Sequence, residues 1–243
     1  MKKEHFTTPQ IRQIRHQMSV HGHKRRLEVS LALVPGIYEL RRFVVFPGVL
    51  RPDISDSQQL ARYLYFNNLR LYFGKSVVDM GCGSGILGIV TGMQGAKKVV
   101  CIDVSGAAVA NADENIHRFN CTANTTAMRS DLFEDYTGKA DLIVFSHPFF
   151  CGSNEGTDSV YSSMVAPESL LVKFLDTAKM HLAVGGTILM PYFDFAGKKN
   201  NPHARGTQMG FDVQETFRIS GDLGAVKGAL SIFELRIEGR RAN

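Results

Sequence analysis

From residue 75 onward the chain alternates two hydrophobic rhythms. Short apolar runs rich in Val and Ile occupy 76–80, 98–104, 125–130, 140–145 and 186–193, and each has strand length. Between them, 86–93, 107–119 and 168–182 place apolar residues at helical spacing. Residues 212–220 and 229–237 read as two further strands. Strands and helices that alternate in this way build a parallel sheet covered on both faces, an α/β fold.

The first 74 residues follow a different pattern. Ile11, Ile14 and Met18 recur at helical spacing over 8–20, with Thr8 placed to cap and Pro9 at the first helical position. Residues 27–34 and 37–46 are apolar and flank Pro35-Gly36, which predicts a β-hairpin. A turn-rich segment follows, then cap residues over 53–57 and a helix to about residue 72, carried by Leu60, Leu64 and Leu71. The expected organisation is an N-terminal helix and hairpin extension over 1–74, covering the open side of a ligand domain over 75–243.

Bulk composition narrows the class. Hydrophobic residues make up 44% and charged residues 21% of the 243, an ordinary globular mix. No apolar run reaches the roughly 18–20 residues needed to span a membrane, and 1–10 lack the apolar core of a signal peptide. A soluble, cytoplasmic protein without a membrane partner is expected. Cys82, Cys101, Cys121 and Cys151 form no C-x-x-C pair, so reduced thiols are expected and no metal site. His21 and His23 lack further ligands nearby and read as a flexible basic turn. The net charge of +5 is uneven: residues 1–51 hold ten Lys/Arg against three Asp/Glu. Such an arm suits RNA, DNA or an acidic substrate, or is a solvated face.

The chemistry concentrates after the first run. Val77-Val78-Asp79-Met80-Gly81-Cys82-Gly83-Ser84-Gly85-Ile86-Leu87-Gly88 puts four glycines within eight residues, ahead of a helix. Glycine lets a ligand approach the backbone, and the helix points free N–H groups at it. Residues 83–88 also fit the dinucleotide pattern G-x-G-x-x-G, with Asp103 20 residues after Gly83. Three features favour S-adenosylmethionine (SAM) instead. Asp79 stands before the loop and would repel pyrophosphate while suiting a cationic amino-acid end. Asp131 follows the third strand and can accept from an adenine amine. Ser146-His147-Pro148-Phe149 ends the fourth strand, where ligands of such sheets bind.

These residues resemble the class I SAM-dependent methyltransferases, in particular the group containing release-factor glutamine and ribosomal RNA guanine methyltransferases. The matching motifs are Val-Asp-Met-Gly-Cys-Gly-Ser-Gly at 78–85, Ile-Asp-Val-Ser at 102–105, Ser-Asp-Leu-Phe at 130–133 and Asp-Leu-Ile-Val-Phe at 141–145. The resemblance implies a Rossmann-like, mostly parallel seven-stranded sheet whose last strand, 229–237, runs antiparallel. It implies that Asp79, Gly81, Cys82, Gly83 and Gly85 hold the methionine portion. Asp103, with Val104 beside it, takes the ribose; Asp131 and Leu132 frame the adenine. Cys82 reads as a small loop residue contributing its backbone.

The family pattern Asn-Pro-Pro-Tyr/Phe is altered here to Ser146-His147-Pro148-Phe149. Ser146 can still accept a hydrogen bond beside the cofactor and Phe149 can still stack, with Pro148 behind it. His147, with an ordinary pKa of about 6.5, is either a general base or packing behind the loop. Asn154 and Tyr161, in the polar loop that follows, are candidate substrate contacts, a surface loop being the alternative. The expected function is methyl transfer to a nitrogen or oxygen of a small-molecule acceptor. The alternatives are RNA or protein N-methylation with docking through the basic arm, a reaction consuming SAM itself, and a non-catalytic partner subunit.

Overall fold

The computed structural model describes residues 6–67, 69–222 and 225–237. Residues 1–5 of the polar amino-terminal run, residue 68 within the expected second helix, and the ends of the expected 1–74 and 75–243 units lie outside them. Helix α1 spans Thr8–His21. The hairpin is β1 (Leu27–Val34) against β2 (Tyr38–Val45), antiparallel with Leu27 opposite Val45. Helices α2 (Asp56–Asn67) and α3 (Leu69–Tyr72) lead into β3 (Ser76–Met80). Then come α4 (Ile86–Met93), β4 (Lys98–Asp103), α5 (Gly106–Arg118), β5 (Thr125–Arg129) and β6 (Ala140–Phe145). The short β7 (Phe150–Cys151), α6 (Ser159–Ser162) and β8 (Val165–Ala166) precede α7 (Glu168–His181). The chain closes with β9 (Leu182–Phe193), α8 (Pro202–Gln208), β10 (Phe211–Asp222) and β11 (Lys227–Ile237).

The seven-stranded sheet has the order β10-β11-β9-β6-β3-β4-β5. Strands β5, β4, β3, β6 and β9 are parallel, and β11 enters antiparallel between β9 and β10. The expected Rossmann-like sheet with an antiparallel last strand is therefore present. Alternation along the strands divides the core. Val78, Met80, Val100, Ile102, Ile143 and Phe145 pack with α7 residues on one face. Val77, Val99, Cys101, Leu142 and Val144 pack with residues of α4, α2 and the hairpin on the other.

Local chemistry shifts several boundaries. The cap of α1 is Thr7, not Thr8: Thr7 Oγ1 accepts from Gln10 N while Gln10 Oε1 accepts from Thr7 N, a capping box. Strand β9 begins at Leu182 rather than at the Gly185-Gly186 pair. Its pairing with β6 jumps from Ala140–Leu182 to Leu142–Thr187, so the glycines form an irregularity inside the strand. Helix α8, unforeseen, starts at an Asn201 cap followed by Pro202.

The hairpin is fastened to the sheet by polar groups within an alanine-rich helix. Asn111 and Asn115 of α5 are fully buried. Asn115 Oδ1 accepts from Val44 N at 2.9 Å, Asn111 Oδ1 from Phe46 N at 2.8 Å, and both amides donate back to Val44 O. Asn115 Nδ2 also donates to Ser84 O at 2.9 Å, tying the edge of β2 to the glycine loop. His21 is likewise fully buried: its Nδ1 accepts from Arg51 N at 2.9 Å and its Nε2 meets Gln17 Oε1 at 2.6 Å. Burial, with Arg51 nearby, lowers its pKa to about 4. This histidine pins α1 to the segment before α2, in place of the flexible turn expected there.

Candidate functional site

The carboxyl ends of β3, β4, β5, β6 and β9 open onto one cavity of about 720 Å³. Each strand delivers its following residues to the wall: Gly81 to Ser84, Asp103 to Ser105, Ser130 to Leu132, Ser146 to Phe149, and Phe193 with Phe195. The roof is the amino-terminal extension, through Gln13, His16 and Gln17 of α1 and the stretches Gly48 to Leu50 and Pro52 to Gln59. Gln10 Nε2 holds α1 in place by donating to Phe195 O at 3.2 Å and Ala196 O at 3.0 Å.

The glycine loop is shaped by left-handed backbone at Gly81, Gly83 and Gly85, with φ of 63°, 54° and 84°. Gly85 does not line the cavity. A Cβ there would lie 3.0 Å from Ala112 Cβ, so this glycine lets α4 and α5 meet. Gly83 N donates to Asp103 Oδ2 at 3.0 Å, and Ser105 N to Asp103 Oδ1 at 2.9 Å. The cap of α5 is Ser105, whose hydroxyl accepts from Ala108 N, leaving Asp103 at the cavity wall.

Asp79 shares the sheet face of Val77, which turns it toward α4. Its Oδ2 accepts from Gly88 N at 2.9 Å. Burial pushes its pKa up to about 7; the Gly88 hydrogen bond opposes this and the Asp103 charge adds to it. Burial raises Asp103 as well, against its backbone hydrogen bonds. Cys82 is buried, and its thiol is raised well above the ordinary range, first by its hydrogen bond with Cys101 and then by burial. It stays protonated, in line with a purely backbone contribution. Val104 is exposed and Leu132 buried at the same wall. Asp131 sits at the rim, half-exposed and ion-paired with Lys173 Nζ at 2.9 Å.

Five aspartates line the cavity, namely Asp53, Asp56, Asp79, Asp103 and Asp131, and among the described residues no Lys or Arg does. Asp53 is paired with Arg51 and Asp131 with Lys173, which leaves three carboxyls for a ligand. Such a wall attracts a cation and repels pyrophosphate.

Asp56, the first residue of α2, is the group that the sequence did not single out. It is only partly exposed, and Ser146 Oγ donates to its Oδ2 at 2.5 Å across 90 residues of sequence. Burial raises its pKa, opposed by the Ser146 hydrogen bond. Around this pair stand aromatic rings. Phe149 meets Phe193 edge-on with centroids 5.0 Å apart, and Phe193 stacks on Phe195 at 5.4 Å.

His147 is buried and its ring stacks on Tyr192, 5.8 Å between centroids. Its Nε2 donates to Asn200 O at 2.7 Å, and burial lowers its pKa to about 4. His147 also lines the cavity, and with its pKa lowered by burial the imidazole is a weak base. Pro148 and Asn154 line the cavity. Tyr161 does not; it packs against the hydrophobic core.

The sequence model of the ribosomal protein L11 methyltransferase (PrmA) family matches residues 66–146. A Methanocaldococcus jannaschii protein named as an inferred protein N5-glutamine methyltransferase is 29% identical over 175 residues, 70% of this chain and 87% of its own length. Ribosomal RNA small subunit methyltransferase C of Yersinia enterocolitica is 32% identical over 143 residues, 58% of this chain but 37% of that protein. Among solved structures, the fold matches a Pyrococcus abyssi tRNA (uracil-54, C5)-methyltransferase crystallised with S-adenosyl-L-homocysteine. Its TM-score is 0.56 at 18% identity, covering 88% of this chain and 45% of that one. It also matches a Lactobacillus delbrueckii ribosomal protein L11 methylase, with a TM-score of 0.52 at 21% identity over 77% of this chain and 80% of that one. The matched family model and the named relatives identify this chain as a SAM-dependent methyltransferase, and the solved structures share its sheet.

Proposed function

We propose that the protein methylates a nitrogen of a base in RNA, with the acceptor held between Asp56, Ser146 and the phenylalanines of the cavity. The observation that carries this reading is the Asp56–Ser146 pair. It sits at the altered strand-end motif and supplies carboxylate oxygens where the family pattern has an amide oxygen. SAM, bound along the glycine loop, supplies a methyl group on a sulfonium.

The remaining work belongs to the chain. Asp79 and the Gly81–Gly83 backbone would hold the methionine end, Asp103 the ribose, and Val104 and Leu132 the adenine. Asp56 accepts an N–H of the acceptor and takes its proton onto a carboxylate oxygen as the nitrogen becomes methylated. Ser146, donating to Asp56, fixes that oxygen in place. Phe149, Phe193 and Phe195 form a wall against which a flat ring packs. The α1 roof excludes water, which strengthens each of these electrostatic contacts.

A small-molecule acceptor, as expected from sequence, gains no support from relatives named for protein glutamine and ribosomal RNA. An RNA base suits the wide aromatic chamber; a glutamine side chain is narrow and needs less of it. The experiment uses methyl-labelled SAM with the protein, bulk RNA, bulk protein and a low-molecular-weight extract. Label released by ribonuclease is the expected result. Label released only by protease, or found only in the filtrate, overturns the reading.

The carboxyls give a pH dependence. In the unfolded chain Asp79 ionises near 3.9, and in the folded chain only near 7. Its contribution to native stability is therefore lost as pH rises between these values. A cationic ligand favours the ionised form, so the rise in melting temperature on adding SAM should be larger at pH 8 than at pH 5.5. Asp103 titrates in the same sense. Equal rises at both pH values would contradict this placement of Asp79.

A further inference from the structure

Residues 6–27 contain five Arg/Lys and no Asp or Glu. Within them Arg12 and Arg15, three residues apart, share a face of α1 and are exposed, as are Lys24 and Arg25 just beyond it. Among the described residues none of these four is ion-paired. Other arginines are neutralised, Arg26 by Glu114, Arg42 by Glu28, Arg51 by Asp53, Arg205 by Glu168 and Arg236 by Glu234, while Arg129 and Arg62 are held by backbone carbonyls. The unpaired cations do not hold α1 in place. Buried Gln13, Ile14 and His21 do that, and Gln13 Oε1 accepts from Ala225 N at 3.1 Å. The adjoining face of the same helix, Gln13 and His16, lines the cavity.

We infer that this face of α1, with the Lys24-Arg25 turn, is the docking surface for the phosphate backbone of single-stranded RNA, placed so that one base leaves the strand and enters the cavity beneath. Among the described residues the cavity carries carboxyls and no Lys or Arg, a wall that repels the backbone, whereas these four cations stand outside, beside its roof. A single strand fits because the acceptor must reach Ser146 below α1, and only an unstacked base has that reach. An acidic peptide would satisfy the charges but would leave the aromatic chamber unexplained. This inference rests on the RNA reading above, and its test is independent of methyl transfer.

The measurement is fluorescence anisotropy of a labelled 12-nucleotide single-stranded RNA of mixed sequence with the full chain, without SAM, over a salt series. Each phosphate contact contributes about −0.7 to the slope of log K against log salt. The fourfold variant Arg12→Gln/Arg15→Gln/Lys24→Gln/Arg25→Gln should bind at least about 30-fold more weakly at low salt, with a slope shallower by roughly 2–3. All four side chains are exposed, and an unchanged melting temperature verifies the fold. The control Lys97→Gln/Lys98→Gln, two exposed lysines at the opposite end of the sheet, should bind as wild type does. Unchanged binding by the fourfold variant, equal weakening by the control, or equal affinity for a poly-glutamate peptide overturns the inference. The α1 surface fails alone if RNA is methylated while the fourfold variant binds it normally. The RNA-methylation reading fails alone if the surface binds RNA as described and no label enters RNA.

Discussion

Asp56→Asn is expected to slow methyl transfer by about 10²–10⁴-fold, the usual share of a general base, while SAM affinity stays within about threefold. That loss corresponds to roughly 3–5 kcal/mol of barrier. Asn has the size of Asp and keeps an oxygen able to accept from Ser146 Oγ, so the 2.5 Å contact and the start of α2 survive. Leu60, Ala61 and Leu64 anchor that helix independently, each fully buried. What Asn cannot do is take a proton. If Asp56 only orients the acceptor, the variant retains most of its rate. The pH profile separates the cases. The wild-type rate should rise as Asp56 ionises, at a pH above the ordinary carboxyl value because burial raises it, and Asp56→Asn should be flat over the same range.

Gly88→Val is expected to destabilise the fold by about 3 kcal/mol, as overpacking of a close contact does. Helix α4 lies against the sheet at this point. A Cβ on Gly88 would stand 2.3 Å from Cys101 Sγ, 3.3 Å from Val99 Cγ1 and 3.4 Å from Asp79 Oδ2. Two of these neighbours belong to β4 and cannot retreat, because Cys101 and Val99 are fully buried. The third is the carboxylate that accepts from Gly88 N, so the same substitution disturbs the glycine loop. Thermal denaturation should show a fall of about 6–12 °C for a chain of this size. Gly106→Ala is the matched control: its Cβ would meet nothing within 4 Å, and its effect should stay within about 1 kcal/mol. A Gly88→Val protein as stable as wild type would mean that the helix has room to move away from β4.

The sheet was legible because buried parallel strands are near-continuous apolar runs, and 76–80, 98–104 and 140–145 are such runs. The glycine loop, Asp79, Asp103 and Ser146 were legible because they end those runs, and strand ends converge in this topology. Asp56 was not. In Asp53-Ile54-Ser55-Asp56-Ser57 it is one of several cap-type residues, and only the fold brings it to Ser146. The aromatic wall was hidden for the same reason: Phe193 and Phe195 look like the tail of an apolar strand. Asn111 and Asn115 sit in an alanine-rich helix, where spacing alone cannot tell a clamp on a strand edge from a solvated polar face. His147 left two readings open, because spacing alone does not show that it both lines the cavity and packs its ring on Tyr192. Tyr161 turned into the packing instead.

The most direct test is nucleoside mass spectrometry of RNA incubated with trideuteromethyl SAM and either wild-type protein or Asp56→Asn. The expected result is a trideuteromethyl group on a base nitrogen with wild type and its near-complete loss with the variant, at equal SAM binding. Trideuteromethyl on protein or small molecules alone, or equal labelling by the two proteins, would contradict it.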